Sequence, residues 1–143
     1  MEKLDIEKEI KTMLAVLFHF VLRKKGKPMY IKNLIRDSEK LLSCGISYEL
    51  AISVLSGNEM FAWTGKGMYG LSEWGYPPHV SSIEEAIEWF IFMKGRAVTE
   101  QEIYEFFSSK YYVKNSSIIG TLVKKEGIKF ERLGRKLWKL KND

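Results

Sequence analysis

The side chains best able to do chemistry are cations gathered near the end of the chain. Residues 110–143 hold ten Lys/Arg against three Asp/Glu, a net +7, directly after residues 81–109, which hold two against six, a net −4. Residues 1–80 are close to balance at net +2. A step of that size concentrates positive potential on one part of the surface, the footprint of a polyanion binder. Lys114, Lys124, Lys125, Arg132, Arg135, Lys136 and Lys139 are the residues expected to neutralise phosphates. Asn115, Ser117 and Thr121 stand among them with side chains that can reach base edges. The expected partner is double-stranded DNA.

Other groupings imitate sites. Gly65-Lys66-Gly67-Met68-Tyr69-Gly70 fits G-x-G-x-x-G, but a dinucleotide site needs the motif to leave a strand and open a helix. Here Leu71-Ser72-Glu73-Trp74-Gly75-Tyr76-Pro77-Pro78 follows, which is no such helix. Glu84, Glu85 and Glu88 offer paired carboxylates, but they sit at a helix start, where acids complement the dipole. His19 lies in an apolar helix and reads as half-buried packing. Cys44 has no basic neighbour to make it a thiolate. With two histidines and one cysteine there is no zinc set. Trp63, Trp74, Trp89 and Trp138 are expected to pack internally rather than stack on bases. No catalytic residue, metal or cofactor is expected, and the chain is not expected to be an enzyme.

The elements that must position the cations come from an internal repeat. Phe61-Ala62-Trp63-Thr64-Gly65-Lys66-Gly67-Met68-Tyr69-Gly70-Leu71 lies 69 positions before Phe130-Glu131-Arg132-Leu133-Gly134-Arg135-Lys136-Leu137-Trp138-Lys139-Leu140. The same offset pairs Lys25-Gly26-Lys27 with Lys94-Gly95-Arg96, while Ile46–Leu55 aligns with Val113–Leu122 after a shift of two residues. In the first copy helices are expected near Lys3–Lys25, Ile31–Leu42 and Ser47–Ser56, with strands near Met60–Thr64 and Met68–Ser72. In the second, Ser82-Ile83-Glu84-Glu85 and Thr99-Glu100-Gln101-Glu102 read as capping-box starts. A third helix runs Ser116–Glu126 and stops at Gly127, and strands Ile128–Arg132 and Lys136–Leu140 flank the turn Leu133-Gly134-Arg135. Three helices closed by a hairpin make a winged helix-turn-helix, so the expected fold is mainly α with small β-hairpins (α+β), two such domains in tandem. The expected boundaries are 1–74 and 81–143, with 75–80 as a proline-stiffened linker.

Helical projection then sorts the faces. In the second copy Ile118, Ile119, Leu122 and Val123 face the core. Lys114, Ser117, Gly120, Thr121 and Lys124 face outward, with Lys125 on the flank and the glycine allowing close approach. The first copy turns out Glu49, Ile52 and Ser53, poor phosphate partners and a candidate protein-binding face. In the first helix Ile6, Ile10, Met13, Leu14, Leu17 and Val21 form an apolar stripe, with Val16, Phe18, Phe20 and Leu22 mostly outside it. A helix apolar nearly all round packs on more than one side, here against the second domain or another copy of the chain. The longest apolar run, Met13 to Leu22, is too short to span a bilayer, and the acidic start is unlike a secretory signal. A cytoplasmic protein with no membrane partner is expected.

The run Lys27-Pro28-Met29-Tyr30-Ile31-Lys32-Asn33-Leu34-Ile35, with Met60-Phe61-Ala62-Trp63 and Tyr69-Gly70-Leu71-Ser72-Glu73-Trp74, resembles the HARE-HTH winged-helix family. That family includes the N-terminal domain of the delta subunit of bacterial RNA polymerase. The resemblance covers the first copy; the second has Leu137-Trp138-Lys139-Leu140 in place of Tyr-Gly-Leu. It implies a module of transcription, chromatin or restriction proteins that binds DNA or a protein partner. The expectation is a non-enzymatic DNA-binding protein, a transcriptional regulator, contacting the duplex through the second copy. The alternative is a protein-interaction adaptor in such a complex.

Overall fold

The computed structural model describes residues 2–77 and 79–142. The chain is mainly helical with small antiparallel sheets, and it divides into two compact units, Met1–His79 and Val80–Asp143. The division falls inside the expected 75–80 joint; Pro78, one of its two prolines, lies outside the described residues.

Unit 1 runs α1 (Glu2–Lys25), β1 (Met29–Tyr30), α2 (Ile31–Leu42), α3 (Tyr48–Gly57), β2 (Phe61–Gly65) and β3 (Met68–Leu71), then a 3-10 turn over Ser72–Trp74. Its boundaries have local causes. Gly26 takes a left-handed conformation and donates its N–H to the Leu22 carbonyl at 2.8 Å, ending α1. The Ser47 hydroxyl accepts the Leu50 N–H at 3.2 Å and opens α3. The core gathers Phe18, Leu22, Leu34, Leu55 and Leu71, and Trp63 and Trp74 pack against it.

The face of α1 that enters this core differs from the expected stripe. Leu14, Ala15, Phe18, Val21 and Leu22 are buried, whereas Ile6, Ile10 and Met13 are exposed. Two apolar faces compete on this helix, and Phe18 wins because its ring meets Phe61 edge-on, centroids 6.5 Å apart.

Unit 2 repeats the order: α4 (Ile83–Lys94), β4 (Val98–Thr99), α5 (Glu100–Lys110), α6 (Asn115–Lys124), β5 (Phe130–Gly134) and β6 (Leu137–Leu140). Thr99 and Glu102 form a full capping box, whereas Ser82 caps α4 by accepting only the Glu85 N–H. The Glu85 carboxylate is turned to the Ser81 and Ser82 hydroxyls instead. Arg96 grips the Glu102 carboxylate with two bonds, 3.2 and 2.7 Å, and together with the Thr99 N–H holds that carboxyl down to about 2. Trp138 is fully buried; its indole N–H donates to Glu100 at 3.0 Å, and Arg132 lies over its ring at 4.6 Å. Trp89 stacks on Phe106.

The two units match element by element. Strands β1, β2 and β3 recur as β4, β5 and β6 at the offset of 69, and α3 recurs as α6 at 67. The sheets share one order, β1-β3-β2 and β4-β6-β5, so each hairpin is joined by a third strand of two residues, too short to announce itself by alternation. Each hairpin slips register at one place, between Trp63 and Gly65 and between Arg132 and Gly134. The first turn is Lys66-Gly67, within the expected gap between strands; the second is Arg135-Lys136, ending one residue beyond the expected Leu133-Gly134-Arg135. The second turn residue is left-handed in both, Gly67 at φ 69° and Lys136 at φ 59°. Its carbonyl accepts the first N–H of the second helix of the unit, Ile31 to Gly67 at 2.9 Å and Glu100 to Lys136 at 3.0 Å. The G-x-G-x-x-G run is thus a hairpin turn.

Candidate nucleic-acid interface

Helix α6 is amphipathic in the expected sense with two differences. Ile118 and Leu122 are fully buried and Ile119 half-buried, but Val123 is 52% exposed and belongs to the outer face. Thr121 is half-buried, and its hydroxyl donates to the Ser117 carbonyl at 2.8 Å, so it turns its proton inward rather than to a partner. Lys114, the N-cap, provides no side-chain cap, which leaves the first N–H groups of α6 without one. Asn115, Ser117 and Lys124 are exposed beyond it.

Gly120 sits in the middle of α6 on the exposed side, and a Cβ built there would meet nothing within 4 Å. Packing inside the chain gives no reason for a glycine at this position.

The turn after α6 is tightly bonded. The Lys125 carbonyl accepts from Ile128, Lys129 and Phe130 at 3.0, 3.0 and 3.2 Å. Glu126 in this turn pairs with Arg132 of β5 at 3.2 Å, tying the hairpin to the end of α6. Beyond Phe130, strand β5 is exposed to its end, and Arg135 and Lys136 stand out at the turn. The equivalent strands β2 and β3 are buried except for the half-buried Trp63.

The ten cations and polar residues expected to contact DNA therefore divide. Lys114, Lys124, Arg135 and Lys136 are exposed and carry no ion pair among the described residues. Lys125 and the neighbouring Lys129 are turned back on α4, 3.3 and 3.1 Å from the Glu84 carboxylate, and Lys129 also lies 3.5 Å from Glu88. The Lys129 ammonium beside Glu84 holds that carboxyl below its usual range. Arg132 is held by Glu126 and Trp138, and Lys139 pairs across the strands with Glu131 at 3.5 Å. The acidic start of α4 thus serves as an internal counter-charge as well as a dipole complement. Sequence reasoning missed Lys129, whose contact with α4 is tertiary and leaves no local signal.

The candidate protein-binding face of α3 is weaker than expected. Glu49 is exposed, but Ile52 is half-buried against the unit 1 core and Ser53 is half-buried. His19 pairs through Nε2 with Glu73 at 2.7 Å, and Cys44 is exposed. Among the described residues no group of three His, Cys, Asp or Glu is placed to hold a metal ion. Among them, too, no helix is long and apolar enough to cross a membrane. Compared with known proteins, the chain matches no family model, no curated protein and no solved structure.

Proposed function

We propose that the chain is a non-enzymatic double-stranded DNA-binding protein built of two winged helix-turn-helix domains, its contacts made by the second. In this reading α6 enters the major groove, with Asn115 and Ser117 toward base edges and Lys114 and Lys124 on phosphates. The wing of β5 and β6 lays Arg135 and Lys136 along the backbone.

The observation that carries the reading is Lys136. Its turn requires a left-handed residue in both units; unit 1 uses Gly67 there, and unit 2 uses a lysine. A non-glycine residue in that conformation costs about 1–2 kcal/mol. The cost falls on an exposed cation next to Arg135, on a hairpin whose outer strand is bare. Gly120, a glycine with no internal reason, supports the same reading, since it lowers the surface of α6 where a partner backbone would approach.

The test is fluorescence anisotropy with a random duplex of about 20 base pairs over a range of salt, the slope in log affinity counting neutralised phosphates at close to one each. Several phosphates are expected, with binding lost on Lys124→Glu/Arg135→Glu. Absence of binding at low salt would remove the reading and favour the adaptor role, to be sought among protein partners.

A further inference from the structure

Helix α1 carries a second apolar stripe that its own unit leaves uncovered. Ile6, Ile10, Met13, Leu17 and Phe20 follow one another in alternating steps of four and three residues, the repeat of a helix-pairing seam, and Val16 widens it. Ile6 is 57%, Met13 67% and Phe20 52% exposed, with Leu17 half-buried. A contiguous exposed apolar surface of this kind marks an interaction site.

The charges beside the stripe choose its occupant. Asp5 and Arg23 are eighteen residues apart, five full turns, so they lie on the same flank, and Glu9 lies near them on that flank. When two identical helices pair antiparallel, each flank faces the same flank of the other copy. Asp5 of one copy then meets Arg23 of the second. A parallel pair would instead set the basic ends, Arg23, Lys24 and Lys25, side by side. The antiparallel arrangement also opposes the helix dipoles.

We propose that the protein self-associates by antiparallel pairing of α1 through this stripe, Met13 meeting its counterpart and Ile6 meeting Phe20 of the other copy. The pairing is independent of the DNA-binding reading, since it uses no residue of unit 2.

Sedimentation equilibrium of the full chain is expected to give twice the 16.7 kDa chain mass. Ile10→Glu/Met13→Glu should raise the dissociation constant by about 100-fold or more, from two apolar side chains lost at the seam. Both positions are exposed, so circular dichroism should be unchanged. Orientation is read by cross-linking in a Cys44→Ser background. Met13→Cys should form a disulfide-linked dimer on oxidation. Ile6→Cys should cross-link only when mixed with Phe20→Cys. Arg23→Glu should weaken the pair, and adding Asp5→Lys should restore it. A chain that sediments as a monomer at the highest concentration reached overturns the proposal. Ready self-coupling of Ile6→Cys overturns it equally, because that is the product of a parallel pair.

Discussion

Replacing Gly120 by alanine separates the needs of the fold from those of a partner. The residue lies in the interior of α6 (Asn115–Lys124), on its exposed side, and a Cβ there meets nothing within 4 Å. Alanine exceeds glycine in helix propensity by about 1 kcal/mol, through the lower backbone entropy of the unfolded chain. No clash offsets that gain. Gly120→Ala should therefore stabilise α6 by about 1 kcal/mol, raising its amide-exchange protection about five-fold. If α6 lies in a groove at this point, the added methyl intrudes between helix backbone and DNA. Overfilling a close contact costs about 1–3 kcal/mol, so duplex affinity should fall by roughly five- to hundred-fold. The assays are hydrogen exchange on the free chain and anisotropy with the duplex, on the same preparation. Unchanged affinity with raised protection would refute close approach at Gly120. Lowered protection would refute the local reasoning itself.

Two further perturbations test the same region and its scaffold. Lys136→Gly should stabilise unit 2 by about 1 kcal/mol in denaturant titration, by relieving the left-handed lysine, while lowering the salt slope of DNA binding by about one unit; a destabilised variant would mean the conformation is not strained. The Glu102 carboxyl, held down to about 2 by Arg96 and the Thr99 cap, stays unprotonated in the folded chain where the unfolded chain takes up a proton. Its contribution is therefore complete above the ordinary carboxylate range and is lost as pH falls toward 2. Because the pair is open to solvent, screening removes much of that contribution. Wild-type stability should drop more than that of Glu102→Gln between roughly pH 5 and pH 2. Parallel pH profiles of the two would refute the assignment.

What could be read from the residues was what the backbone decides locally. The Thr99 and Ser82 starts and the glycine after α1 and α4 are set within a few residues of chain, so their spelling predicts them. The offsets of 69 and 67 survive in the elements for the same reason. What the residues left open was decided across the fold. Helix α1 has two apolar faces and its periodicity fits either; the contact of Phe18 with Phe61 selects one. Val123 follows the period of the core but finds no partner there, because α6 ends one residue later. Lys125 read as a free cation and Lys129 drew no notice, yet both reach Glu84, which lies about forty positions earlier, a separation with no periodic signature.

Two units on one framework act as each other's control. At the left-handed turn position, stability alone selects glycine, and unit 1 has it at Gly67. In the interior of the third helix, stability alone disfavours glycine, and unit 1 has Ser53 at the position equivalent to Gly120. Unit 2 reverses both choices, with lysine in the strained turn and glycine in the open helix. It also bares β5 where unit 1 buries β2. Each reversal costs the free chain stability, and all lie in the segment from α6 to the β5-β6 hairpin, where the basic residues concentrate. Side chains packed within unit 2 do not recover that cost, since Lys136 is exposed and Gly120 faces open space. In the proposed reading the compensating contact comes from outside the chain, from a partner that takes cations at the β5-β6 turn and a close backbone on α6.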